Sequence, residues 1–134
     1  MILLDTNGLS ELTRPSPSAQ VIAWLEAKDS VLGVQTIALE ELRYGISRLP
    51  AVRKRSSLLQ FWAMTCEHFR ARVSSFCERA ASVFGDLVAE TEYKGRRLNV
   101  ADGRIAAIPL VHGIQAATRN VGDFESSGAL LVNP

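Results

Sequence analysis

The sequence predicts an α/β fold with a mainly parallel central sheet. Three observations carry this: short, wholly apolar runs that suit strands buried on both faces, longer segments with apolar residues every three or four positions, and the alternation of the two along the chain. At 134 residues the chain fits one ordinary domain with a real core. Residues 1–134 are therefore expected to form a single unit.

Residues 2–4 form an apolar run ending at Asp5 and are expected as a central strand. The turn-prone RPSPS at 14–18 leads to Val21, Ile22, Trp24 and Leu25, which mark a helix, and 31–34 read as a second short strand. Thr36 is placed to cap the next helix, in which Leu39, Leu42, Ile46 and Leu49 form one apolar stripe that ends before Pro50. Ile37 and Tyr44 fall off that stripe, which predicts a partner-facing surface on this helix. Residues 52–72 read as a helix with a basic start, and 72–76 as a short edge strand. Ala80, Ala81, Val83, Phe84, Leu87 and Val88 give a further helix that runs out near Gly95. Asn99 caps another that reaches His112 and Gly113, with Pro109 late in it, where a bend is expected. The last strands are expected at 115–118 and 130–132, separated by a polar loop at 119–128.

Composition excludes the fibrous and disordered classes: 47% of residues are hydrophobic and 22% charged. Fifteen Lys and Arg nearly balance fourteen Asp and Glu, so any affinity for nucleic acid must be local. The two cysteines, Cys66 and Cys77, read as buried apolar thiols rather than a disulfide framework, which favours the cytoplasm. The opening MILLD has neither the basic lead nor the long apolar run of a secretion signal or membrane span. His68 and His112 lack zinc-type spacing, and there is no Gly-rich phosphate loop or serine elbow.

The acids carry the chemistry. Asp5 ends the first strand, and Asp123 lies just beyond the strand at 115–118. Asp102 falls in the first turn of the helix capped by Asn99, and Glu41 in the second turn of the helix entered from the second strand. In a parallel sheet ligands bind beyond the carboxyl ends of the strands, so all four acids should open onto one edge. Carboxylates crowded there would take up protons, whereas a hard divalent cation neutralises them, so such a cluster implies Mg²⁺ or Mn²⁺. Bound metal acidifies water and screens charge developing on a phosphate, which is phosphodiester hydrolysis chemistry. Simpler readings exist for each acid taken alone. Asp102 suits the positive end of a helix dipole, and Glu41 lies away from the apolar stripe, where a Glu is normally solvated. Glu41 nevertheless lacks a local cation, since Tyr44 and Gly45 follow it, while its neighbour Glu40 has Arg43 three residues on. Asp5 must find partners or face a cleft, and Thr6 and Asn7 beside it offer polar groups.

In combination and order, four segments resemble the motifs of PIN domains, above all the short bacterial VapC toxins and their FitB-like relatives. They are MILLDTN followed by LSEL, then IALEELRYGI, NVADGRIAAI and ATRNVGDF, and together with the terminal LLVNP they span nearly the whole chain. The resemblance implies a three-layer α/β/α PIN fold and a Mg²⁺- or Mn²⁺-dependent endoribonuclease. It carries the family's acidic site to Asp5, Glu41, Asp102 and Asp123, as catalytic and metal-holding groups, with Thr6, Asn7, Thr118 and Asn120 in polar support. It further implies a homodimer, a cognate VapB-like antitoxin, promoter DNA bound only through the antitoxin complex, and growth arrest by RNA cleavage. Gly8, Pro109 and Cys77 depart from the family pattern. None removes a carboxylate, but Gly8 and Pro109 are expected to cost stability, as both residue types do inside helices.

Arg43, Arg48, Arg53, Lys54 and Arg55 follow the second acidic segment, and Lys94, Arg96 and Arg97 precede the third. They read either as solvated helix ends or as cations that draw an RNA backbone to an acidic site, with Arg43, Arg48, Arg53, Lys54, Arg96 and Arg97 as the candidate contacts. Two other classes stay open: a degenerate PIN domain that binds RNA or protein without cutting, and a receiver-like or phosphatase-like domain that phosphorylates Asp5. The RNA target is not legible in the motifs.

Overall fold

The apolar run Ile2–Leu4 (β1) buries both faces, because successive side chains of a strand point to opposite sides. Leu3 packs with Ala80, Ala107 and Ile108, while Leu4 joins Leu9, Val21, Leu25, Val34, Leu42 and Ile46 on the other side. The computed structural model describes residues 1–119 and 127–134. After β1 come α1 (Thr6–Glu11), α2 (Ala19–Lys28), β2 (Leu32–Gln35), α3 (Thr36–Ser47), α4 (Arg53–His68), β3 (Val73–Ser74), α5 (Glu78–Tyr93), α6 (Val100–His112), β4 (Gln115–Ala117) and β5 (Leu130–Val132).

The strands form one five-stranded sheet, ordered β3, β2, β1, β4, β5, with every pairing parallel. The cluster around Leu4 holds α1 to α4 on one face, and the clusters around Leu3 and Ile105 hold α5 and α6 on the other. This is the expected three-layer α/β/α arrangement, with β1 central and β3 at an edge. The strand order changes direction at β1: β2 and β3 extend to one side of it, β4 and β5 to the other. In doubly wound sheets the crevice opens at that reversal, beyond the carboxyl ends of the strands.

Several expectations need correction. Thr36 does not cap α3. The cap position belongs to Gln35, which has no side-chain capping bond, because β2 runs straight into α3 and Gln35 is still paired with Ser74 of β3. Ile37 is not free for a partner, since it packs against the clusters under α5 and α6. Cys77 is exposed rather than buried, as it stands at the cap position of α5 on the connection from β3; Cys66 is half-buried, and both thiols are free. Val31 leaves the strand for a single 3-10 turn, Asp29–Val31, and is exposed.

α1 carries no apolar periodicity. It forms because Asp5, in extended conformation, accepts the Gly8 N–H and so satisfies one of the orphan donors of a helix start. α6 starts in the same way, with Asn99 Oδ1 accepting from Ala101 N at 2.9 Å and Asp102 N at 3.4 Å. It runs through the buried Pro109 to end at Gly113, whose φ of 61° is the left-handed turn that glycine allows. Among the described residues no helix is long and apolar enough to cross a membrane.

Two glycines respond oppositely to an added methyl group. At Gly33 a Cβ would sit 2.8 Å from the Arg72 carbonyl oxygen, which already accepts the Val34 N–H, so neither can yield without loss of the β2–β3 pairing. At Gly8 the nearest atoms lie at 3.4 and 3.5 Å, in ordinary contact, within a helix that glycine weakens. Gly33→Ala is expected to cost about 1–3 kcal/mol, and Gly8→Ala to add about 0.5 kcal/mol. Urea midpoints at unchanged slope measure both.

Candidate active site

Asp5 is the first residue past β1, at the point where the strand order reverses. Its N–H donates to the Ala117 carbonyl at 3.2 Å, and its Oδ1 accepts the Gly8 N–H at 2.8 Å, so strand and helix start fix it from both sides. The residue is only 4% exposed. Burial pushes its carboxyl above the usual Asp range, opposed by hydrogen bonds from the Gly8 N–H, the Thr118 hydroxyl and Asn7. Thr118, the first residue past β4, is itself buried, as its place beside the central strand requires.

The second acid comes from α3. Thr6, the first residue of α1, donates its hydroxyl to Glu41 Oε2, which ties α1 to α3 across the edge. The third, Asp102, is half-buried in the first turn of α6, where the Asn99 cap sets the helix start. Asp5, Thr6, Asn7, Glu41 and Asp102 line one cleft of about 270 Å³, closed by Tyr44 and Ile105. Glu40, next to Glu41, is exposed and lines a different cleft with Arg43 and Trp62. The helical phase thus separates the two neighbouring acids.

The structure brings Asp5, Glu41 and Asp102 into one cleft without drawing them to one point. Among the described residues no three acidic, His or Cys side chains converge closely enough to enclose an ion by themselves. Asn120 and Asp123 lie outside the described residues. Among the described residues the donors lining the cleft are carboxylate, hydroxyl and amide oxygens with no imidazole or thiolate, the set that hard divalent cations such as Mg²⁺ take.

The candidate basic contacts are all exposed, and none lines the carboxylate cleft. Arg53 and Lys54 open α4, and Arg96 and Arg97 lie between α5 and α6. Arg43 stacks over Trp62 at 4.8 Å and Arg48 over Tyr44 at 5.4 Å, both on the α3 side of the edge.

Sequence reasoning missed Glu11. It is 1% exposed at the end of α1, accepts the Ser18 N–H at 2.7 Å, and pairs with Arg14 at 3.1 Å and Arg119 at 3.0 Å. A buried acid is rare unless paired, and Arg119 lies far away in the chain, so only the LSEL segment itself hinted at it.

A PIN-domain family model matches residues 2–126, and the chain belongs to the PIN-domain family. Similar proteins include plasmid stability protein StbB of Pseudomonas syringae pv. tomato, 38% identical over all of this chain and 98% of that protein. VapC ribonuclease Y4jK of Sinorhizobium fredii is 35% identical over all of this chain and 97% of its own length. Toxin FitB of Neisseria gonorrhoeae is 34% identical over 100% and 98% of the two chains. In the solved structure of FitAB bound to an IR36 DNA fragment, the matching chain has a TM-score of 0.89 at 32% identity, over all of this chain and 95% of that one.

Glu11 gives a test of the frame around the site. Glu11→Ala removes the acceptor of the Ser18 N–H and the partner of two guanidinium groups that remain about half exposed to water. The expected loss is about 1–3 kcal/mol, the cost of an unsatisfied buried group, rather than the larger cost of a stranded buried charge. Thermal unfolding measures it, and an unchanged melting temperature would contradict the assignment.

Proposed function

We propose that the chain is a Mg²⁺- or Mn²⁺-dependent endoribonuclease, the toxin of a VapBC-type toxin-antitoxin pair, which cleaves RNA phosphodiester bonds and arrests growth. The observation that carries this reading is the shared cleft: Asp5, Glu41 and Asp102, from three separate elements, line it at the reversal of strand order. The names of the relatives, a VapC ribonuclease and the toxin FitB, support the same reading. Asp123 is assigned as the fourth acid on the strength of its motif.

In this reading Asp5, Glu41, Asp102 and Asp123 would hold the metal, which when bound would supply an acidified water and screen charge on the phosphate. The chain's own groups set up that chemistry. The Thr6 hydroxyl fixes the Glu41 carboxylate, and both residues line the cleft. The Gly8 N–H, Thr118 and Asn7 hold Asp5, and Asn120 is assigned to the same support. Glu41 or Asp102 would also orient the attacking water. Arg43, Arg48, Arg53, Lys54, Arg96 and Arg97 draw the RNA backbone towards an otherwise acidic edge.

The protein is proposed to act in the cytoplasm as a homodimer held in check by a VapB-like antitoxin, with promoter DNA bound only through that complex. The structure of FitAB bound to an IR36 DNA fragment supports DNA binding by such a complex.

Metal should stabilise the fold, since a ligand that prefers the native state adds about 2.7 kcal/mol when present at roughly a hundred times its Kd. A clear rise in melting temperature is expected on replacing EDTA by Mn²⁺, and Asp5→Asn should blunt it. Identical melting in both would remove the shared metal site.

Cleavage tests the mechanism. Asp5→Asn, Glu41→Gln, Asp102→Asn and Asp123→Asn should each lose most of the activity, and a second substitution should add little, because groups that act as a unit are not additive. Glu67→Gln, at an exposed acid paired with Arg70, is the control expected within a few fold of wild type. Folded Asp5→Asn and Asp102→Asn variants that cut RNA and stop growth like the wild type would favour a binding module instead.

A further inference from the structure

Tyr44 stands between two clefts. It follows Glu41 by three residues on α3, which puts both on one face of the helix, and it lines the carboxylate cleft. It also lines a second, more open cleft of about 530 Å³, with Arg43, Ser47 and Trp62 among its walls. The ring is 62% exposed, so the core does not explain it. Its neighbours are held in place: Trp62 Nε1 donates to the Leu39 carbonyl at 3.1 Å, Arg43 lies over the Trp62 ring, and Arg48 lies over Tyr44.

We propose that this second cleft is a nucleotide subsite, in which the base next to the scissile phosphate stacks on Tyr44. The inference rests on the ribonuclease reading and extends it to the substrate. The volume falls within the range of about 300 to 1,000 Å³ typical of small-molecule sites. Three residues of helix, a rise of about 4.5 Å, separate the level of Glu41 from that of Tyr44. That is the scale of a nucleotide step, about 3.4 Å along a stacked strand and more when bases are splayed apart. Exposed aromatic rings backed by guanidinium groups are what unpaired bases stack on, and the same cations face the phosphates. Arg43 balances Glu40 among the lining residues, and Arg48 over the Tyr44 ring adds a further cation for a phosphate. A protein partner would use the same exposed ring, and the test must separate the two.

The probe is a short fluorescein-labelled single-stranded RNA that the wild type cleaves, bound in Ca²⁺ and cut in Mn²⁺, and its copy made abasic at the nucleotide flanking the mapped cut. Loss of one base–aromatic stack weakens binding about 5- to 150-fold. Tyr44→Ala should show that loss on the intact RNA, with KM raised and kcat within a few fold, and Tyr44→Phe should restore binding because the ring is kept. On the abasic RNA, wild type and Tyr44→Ala should bind alike. Equal losses on intact and abasic RNA, or an equal loss in Tyr44→Phe, would overturn the subsite. So would light scattering in which Tyr44→Ala alone splits a dimer, which would assign the ring to a protein interface. If the wild type cuts no RNA, the ribonuclease reading fails and the subsite with it. If the wild type cuts and Tyr44→Ala matches it in KM, the subsite alone fails.

Discussion

Asp5 is held where two parallel strands end side by side, and the remaining features of the site follow from that placement. Its N–H reaches the Ala117 carbonyl of β4 and its carboxylate accepts the Gly8 N–H, so one residue closes β1 and opens α1. Because α1 starts there, Thr6 comes to lie against Glu41 of α3. Because β4 lies beside β1 in parallel register, with Leu4 opposite Ala117, Thr118 emerges next to the same carboxylate. A sheet with β1 and β4 antiparallel would send one of these two chain ends to the opposite edge.

The two buried acids of this region differ in what satisfies them, and the difference separates their roles. Glu11 is met by the guanidinium groups of Arg14 and Arg119 and by a backbone N–H, a closed set that needs nothing further. Asp5 is met by hydrogen-bond donors, and among the described residues no Lys or Arg pairs with it. Burial therefore pushes the Asp5 carboxyl upwards, the state of an acid that a cation would relieve. Glu11 reads as structure, and in the proposed reading Asp5 is the group left for a ligand.

Legibility in the sequence followed the length scale of the interactions. Three wholly apolar residues sufficed for β1, since a strand buried on both faces has no other composition, and the three- and four-residue spacing of Leu42 and Ile46 marked α3 for the same reason. Asn99 announced the start of α6 because capping is a contact between near neighbours. α1 was less visible: its stability comes from Asp5, a residue that the apolar run claims for the strand end, rather than from a pattern of its own. Glu11 was hidden because its partner Arg119 is brought to it only by the completed sheet. Thr36 misled, since a good capping residue loses that place when the strand before it pairs to its last residue.

Strand-end position and motif order singled out the acids, and for Asp5, Glu41 and Asp102 the structure adds a shared cleft that spacing alone could not show. Glu40 and Glu41 are adjacent in sequence, yet a step of one residue turns a helix by about 100 degrees, enough to put one acid in the carboxylate cleft and the other in the neighbouring one. Thr6 marks the difference, since its hydroxyl reaches Glu41. The same turn of α3 that carries Glu41 carries Tyr44 to the wall between the two clefts, so the element that supplies an acid also supplies an aromatic surface beside it. A helix entered directly from a central strand can hold both in fixed relation, since its first turns are anchored by the sheet that positions Asp5.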